Sequence, residues 1–358
     1  MRHAAFPAGV TREQLIDWYR AGRARTKWVF DLLTPEAYYE RPIALRNPIV
    51  FYEGHLPAFT INTLVKLAHR SPGIDAQFET LFARGIDPDS PDAVKDPTDV
   101  WPSREDVQAY ADAADACVLE LLANAPLEDD RIPELRGGEA VFTILEHEQM
   151  HHETLLYMLH NLPYEKKRQL AVGGWRLAGV DAPAVAEKMI AIPRGRATLG
   201  RTSGFGWDNE FPSHVVDVDA FSIGRFNVTN GDWLAFMDAT AAAAPNFWTR
   251  RGDAWMWRGM FGDEPLALTA PVWVTHNQAS AYASWRGMRL PSEGEFHRAA
   301  YGSPTGEERL HPWGDAPAEA SRGNFDFAAL GPVPSGLHPA GASAWGVEDL
   351  VGNGWEWT

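Results

Sequence analysis

Apolar residues recur at helical spacing in the first half of the chain and in short alternating runs in the second. Thr11 with Gln14 has the form of a capping box and predicts a helix running to about Leu33, with Leu15, Trp18, Tyr19, Trp28, Phe30 and Leu33 apolar. A second helix is expected after Pro48, from about Phe51 to His69, on the apolar positions Leu56, Phe59, Leu64 and Leu67. The Asp- and Pro-rich stretch from Gly85 to Pro102 is irregular. Ser103 then caps a third helix, with Asp106 in its first turn. Val107, Tyr110, Ala114, Cys117, Val118 and Leu121 make one stripe along it. A fourth helix follows Gly137-Gly138. Four amphipathic helices with one long connection predict a four-helix bundle over residues 1–164.

A linker is expected over 165–186, where a basic segment gives way to Gly, Ala and Pro. Beyond it, Met189–Ile192 and His214–Phe226 alternate like strands. Three short helices are signalled by Thr229 before Asp232, Thr275 before Gln278 and Ser292 before Glu295. Between these elements run long loops rich in Gly, Pro and Trp. The expected fold is therefore an α bundle followed by an α+β domain over 187–358. Eleven of the 15 tryptophans lie beyond residue 200, as a loop-rich domain anchored by large aromatic side chains requires.

Composition narrows the function. A net charge of −16 argues against a nucleic-acid partner, which needs basic surface. The single cysteine, Cys117, rules out an internal disulfide and a Cys-rich zinc site. Met1–Val10 has no apolar signal-peptide core and no apolar run reaches membrane-span length, so the expected location is the cytoplasm, with no membrane partner.

The candidate chemistry lies in Glu146–Met158. As a helix, this stretch puts His147 and His151 one turn apart on one face, together with Ile144, Leu155 and Met158. Two imidazoles aimed at an apolar interior are either half of a metal site or hydrogen-bonded core residues. His55, on the second helix, is the candidate third ligand, because bundle metal sites draw side chains from facing helices. The same residues, His147-Glu148-x-x-His151, fit a zinc-peptidase pattern with Glu148 as general base. Metzincins need Gly at Thr154 and His at Tyr157, and neither is present.

The second half resembles the sulfatase-modifying-factor (formylglycine-generating enzyme) fold, a C-type-lectin-like domain. The likeness rests on Trp207–Glu210, Asn227–Asn230, Arg289–Glu293, Pro312–Gly314 and Gly352–Thr358. The first half resembles a DinB-like bundle carrying His55 and the His-x-x-x-His-x-Glu pattern of His147, His151 and Glu153. That pairing resembles the non-haem iron sulfoxide synthases of ergothioneine and ovothiol biosynthesis. The resemblance implies Fe(II) held by His55, His147 and His151, with O₂ as co-substrate. It implies a reaction that joins a thiol sulfur to the imidazole of hercynine or a related histidine derivative and oxidises the sulfur. It also makes Glu153 a candidate for orienting a ligand, or else a solvent-facing carboxylate.

Three departures from the family pattern modify that expectation. Family members continue beyond Thr358 and supply a catalytic tyrosine there, so the second domain is expected to be truncated. Met150 stands where relatives that bind hercynine can carry a polar residue. Gly85–Trp101 contains Lys95 but no arginine to clamp the carboxylates of γ-glutamylcysteine, which favours cysteine as the thiol. Ovothiol-type (histidine plus cysteine) and selenoneine-type synthases are the alternatives within the class. A lectin-like binding module without activity is the alternative outside it. Formylglycine generation is disfavoured, since residues 186–358 contain no cysteine.

Overall fold

The computed structural model describes residues 9–83, 101–169 and 188–358. The chain divides into two compact units, one of residues 1–170 with 203–205, the other of 171–202 with 206–358.

In the first unit, α1 (Arg12–Asp31) opens on the expected capping box, with Thr11 and Gln14 bonded reciprocally. Its buried face is Leu15, Tyr19, Gly22, Thr26, Val29 and Phe30, while Trp18 and Trp28 are only half-buried. Helix α2 (Ile49–Thr60) is buried nearly throughout, because apolar residues dominate its sequence and its polar Glu53 and His55 are buried with them. Pro57 withdraws one N–H from its ladder. From Ile61 to Ala68 the helix widens into π-type turns, and His69 N–H donates to the Leu64 carbonyl. That change of period leaves Leu67 exposed and buries Val65 and Ala68 instead. A short helix not expected from the sequence, α3 (Ala76–Leu81), is capped by Asp75.

Helix α4 (Arg104–Asn124) is capped by Ser103 and buries Val107, Tyr110, Ala114 and Val118 as expected, but Leu122 and not Leu121. Helix α5 (Glu139–Asn161) follows Gly137 and Gly138, whose φ angles of 61° and 76° suit a residue without Cβ. Helices α1, α5, α2 and α4 each pack on two neighbours in that cyclic order, which closes a four-helix bundle. Leu15, Ile61, Leu64, Val118, Leu122, Val141 and Leu145 share its core. Lys167 N–H₃⁺ donates to the Leu159 carbonyl at the end of α5, and Arg168 N–H to Leu32. The start of the expected linker is thus tied into the bundle; its remainder, residues 170–186, lies outside the described residues, as do residues 84–100 of the irregular stretch.

The second unit pairs β1 (Met189–Ile192) with β4 (Phe221–Gly224) and β2 (Gly195–Leu199) with β3 (His214–Val218), both antiparallel. Helix α6 (Asn230–Thr240) precedes an antiparallel meander of β5 (Trp248–Arg251), β6 (Ala254–Arg258) and β7 (Asp263–Pro265). Helices α7 (His276–Trp285) and α8 (Glu293–Tyr301) follow. All three helices carry the capping boxes that their sequences signal. Trp233, Phe236, Trp248 and Tyr282 form one core, with Trp255 and Trp257 packed on it. Arg298 of α8 donates to the carbonyls of Pro193, Arg196 and Arg194 at 2.8, 3.1 and 3.3 Å, tying the helix to β2. No described helix is long and apolar enough to cross a membrane.

Candidate metal centre

Helices α2 and α5 face each other in the bundle and bring His55, His147 and His151 together. The Nε2 atoms of His55 and His151 lie 3.2 and 3.1 Å from Nε2 of His147. Among the described residues, this is the cluster of metal-ligating side chains whose donor atoms all lie within 4.8 Å of one another. The three rings are only 4, 6 and 1% exposed. Burial holds all three below the usual histidine pKa. His147 lies well below it, and His151 falls to about 3 with the neighbouring His55 adding to the shift. All three are therefore neutral at neutral pH, the state that a metal requires.

Hydrogen bonding decides which nitrogens are free. His55 Nδ1–H donates to the carbonyl of Phe82 at 2.8 Å, so its Nε2 carries a lone pair toward the other two rings. Three Nε2 atoms then crowd one point. A single N–H on His147 bridges only one of the two short gaps, and Nδ1 of His151 has no hydrogen-bond partner among the described residues. Two nitrogens sharing a metal at about 2.1 Å lie about 3.0–3.4 Å apart, depending on the angle between them. The observed spacings fall in that range, so the three nitrogens could hold a metal ion between them.

Aromatic side chains of α2 hold these rings. Phe59 stacks on His147 with centroids 3.6 Å apart, Phe51 stacks on His55 at 4.8 Å, and Tyr52 tilts against His151 at 5.6 Å. Phe51, His55 and Phe59 are spaced by four, so the sequence already placed both phenylalanines on the His55 stripe. Phe82 had no such signal, because its carbonyl reaches His55 from a separate element.

Glu148 is turned toward α1 and not toward the triad. Its Oε1 accepts from Arg23 at 2.9 Å and from the Thr26 hydroxyl. This departs from the zinc-peptidase pattern, in which Glu148 is the general base beside the metal. Glu153 is half-buried two residues beyond His151, about half a turn round the helix. His152, facing away from the His147/His151 stripe, is buried and 2.8 Å from the Thr26 hydroxyl. His69 is half-buried at the end of the π-type turns, and His160 is buried near the end of α5.

Comparison with known proteins accords with this architecture. Residues 177–358 match the sulfatase-modifying factor enzyme 1-like domain family and residues 19–155 the DinB superfamily. The chain belongs to the sulfatase-modifying factor enzyme 1-like family, here joined to a DinB superfamily bundle. It is homologous to hercynine oxygenases. It is 37% identical over 254 residues to that of Mycolicibacterium thermoresistibile, covering 64% of this chain and 55% of the relative. It is also 37% identical over 274 residues to that of Mycolicibacterium smegmatis, covering 71% and 61%. The inactive C-alpha-formylglycine-generating enzyme 2 of Bos taurus is 31% identical over 211 residues, covering 48% of this chain and 69% of the relative. The chain thus spans about three fifths of the length of the hercynine oxygenases it matches.

Proposed function

We propose that this chain carries the iron centre of a sulfoxide synthase that joins a thiol, with cysteine favoured over γ-glutamylcysteine, to the imidazole of hercynine. The observation that supports it is the convergence of three buried, neutral imidazole nitrogens in a relative of hercynine oxygenases. In this reading His55, His147 and His151 hold Fe(II), and the metal supplies O₂ activation and binding sites for thiolate and imidazole. The chain's own part is positional. The Phe82 carbonyl keeps His55 in the tautomer whose Nε2 is free. Phe51 and Phe59 lie flat on two of the three rings, which fixes their planes and keeps water from them. Glu148 is engaged by Arg23 and Thr26, which disfavours its use as the general base of a zinc peptidase. The absence of arginine from Gly85–Trp101 supports the smaller thiol.

The test is anaerobic loading with Fe(II), then O₂ with hercynine and either thiol, read by mass spectrometry for a sulfoxide adduct. Metal content measured on the same sample separates the centre from the reaction. Stoichiometric iron that His147→Ala abolishes, together with an adduct, is the expected result. Iron bound without an adduct from any pairing of hercynine or histidine with these thiols, in a form as long as the hercynine oxygenases as well as in this chain, would sink the proposed activity.

A further inference from the structure

The residues immediately after two of the proposed ligands form a second buried cluster, on the opposite flank of α5. Glu148 follows His147, and His152 follows His151. A step of one residue turns about 100° round a helix, so these two side chains face α1 while the histidines face α2. Glu148 Oε1 accepts from Arg23 at 2.9 Å and from the Thr26 hydroxyl. Since the carboxylate can only accept, Thr26 spends its single hydrogen there and accepts from His152 Nε2–H at 2.8 Å. Arg23 also donates to Asp115 of α4 at 2.8 Å, and Tyr19 O–H donates to the same oxygen at 2.7 Å. Gly22 lies on the same face of α1, where a Cβ would come within 3.3 Å of the Glu148 side chain. The bare backbone there lets the two helices approach.

We infer that Thr26, Arg23, Glu148 and His152 form a clamp that sets the roll of α5 and thereby aims His147 and His151 at His55. This rests on the reading of those three histidines as a metal centre. Imidazole nitrogens sit about 6 Å from the helix axis, so a roll of 10° moves them by about 1 Å, which exceeds the tolerance of about 0.5 Å of a preorganised site. Stability alone is a poor reason for such a network. A buried ion pair is commonly no more stabilising than apolar residues of the same volume, whereas fixing a register is a role that such groups do perform. Thr26 is the hinge of the arrangement, because its one hydroxyl joins the carboxylate and the imidazole that belong to successive turns of α5.

The experiment compares wild type, Thr26→Val and Thr26→Ser in the intact chain. It reads the affinity for Co(II) and Fe(II) by chelator competition, the visible spectrum of the Co(II) form, and thermal unfolding. Thr26→Val keeps the shape and removes the hydroxyl; it should bind metal at least about 10-fold more weakly, the size of effect seen when groups behind a ligand are removed. The Co(II) spectrum should change with it, and Thr26→Ser should restore both. If Thr26→Val does not fold, Glu148→Gln, which keeps the volume and one acceptor, is read in the same way. A variant that melts lower but keeps wild-type affinity and spectrum assigns the cluster to stability and overturns the inference. Wild-type protein that binds no metal overturns the centre itself, and is recognisable because no variant is needed to see it.

Discussion

His55 and Phe82 are joined by a hydrogen bond of 2.8 Å from the imidazole Nδ1–H to the backbone carbonyl, and that bond determines which nitrogen His55 can offer to a metal. The approach depends on Gly54. A Cβ there would lie 2.3 Å from the Phe82 ring, which Phe51, Phe78 and Trp101 surround. With its neighbours in place the ring cannot yield without displacing its own backbone. Gly54→Ala is therefore expected to break the bond while the bundle still forms. Metal affinity should fall about 10- to 100-fold, the usual cost of losing a partner behind a ligand. Circular dichroism should show helix content near wild type. Unchanged affinity would mean that His55 needs no such support.

What was legible in the sequence was local. The capping boxes at Thr11, Thr229, Thr275 and Ser292 were readable because the interacting residues sit three apart in the chain. The His147/His151 stripe was readable from the helical period alone. The face of α1 was blurred because two of its buried positions are Gly22 and Thr26, which are small or polar and do not mark an apolar stripe. The break of period after Pro57 hid the true burial of Val65 and Leu67. Strand β2 is only five residues long, with Ala197 and Leu199 alone to mark its buried face, and Trp248–Pro265, which forms β5–β7, mixes arginine, tryptophan and turn residues without alternation. The partners of Glu148 and His55 lie 122–125 and 27 residues away, and no local pattern announces them.

The docking of α8 on β2 gives a prediction for the second domain. Arg298 is 8% exposed and satisfies three backbone carbonyls, with its guanidinium 5.5 Å from the Trp345 ring centroid. Removing it as Arg298→Ala strands those acceptors and should cost about 2–4 kcal/mol. Gly195→Ala should cost a similar amount for a different reason, since its Cβ would lie 2.2 Å from the guanidinium carbon and evict the side chain. Because both changes destroy the same contact, the double variant should be little worse than the poorer single one. Urea unfolding of the four proteins checks this, and simple additivity would show that the two residues act separately.

Glu295 carries a prediction for acid conditions. Two hydrogen bonds of 2.6 Å from Arg289 hold its carboxyl at about 2, against the opposing effect of burial and with help from the Ser292 N–H. In the unfolded chain the same group titrates near 4.5. Above that value it is ionised in both states, and its contribution to stability is complete. As pH falls from about 4.5 toward 2 the unfolded chain takes up the proton first, so the contribution fades. Glu295→Gln should accordingly melt below wild type at pH 7, and the gap should narrow steadily below pH 4.5. A gap that stays constant to pH 3 would leave the Arg289–Glu295 pair without electrostatic weight.

Metal removal tests the histidine cluster most directly, because the sequence alone allowed either a metal site or three core histidines. The two readings differ in linkage. A metal that binds only the folded bundle stabilises it in proportion to the logarithm of its free concentration, by about 2.7 kcal/mol at 100 times the dissociation constant. Core histidines have no such dependence. The melting temperature of wild type should therefore rise with added Fe(II) under anaerobic conditions, or with Co(II), and return to the starting value on adding chelator. His147→Ala should abolish the shift, because His147 Nε2 is the atom from which both other nitrogens are measured at 3.2 and 3.1 Å. His69→Ala, which alters a half-buried histidine at the far end of the π-type turns, should leave it intact. A wild-type melting temperature indifferent to both metals would return His55, His147 and His151 to the role of packing residues. The stacking of Phe51 and Phe59 on their rings would then be core packing and nothing more.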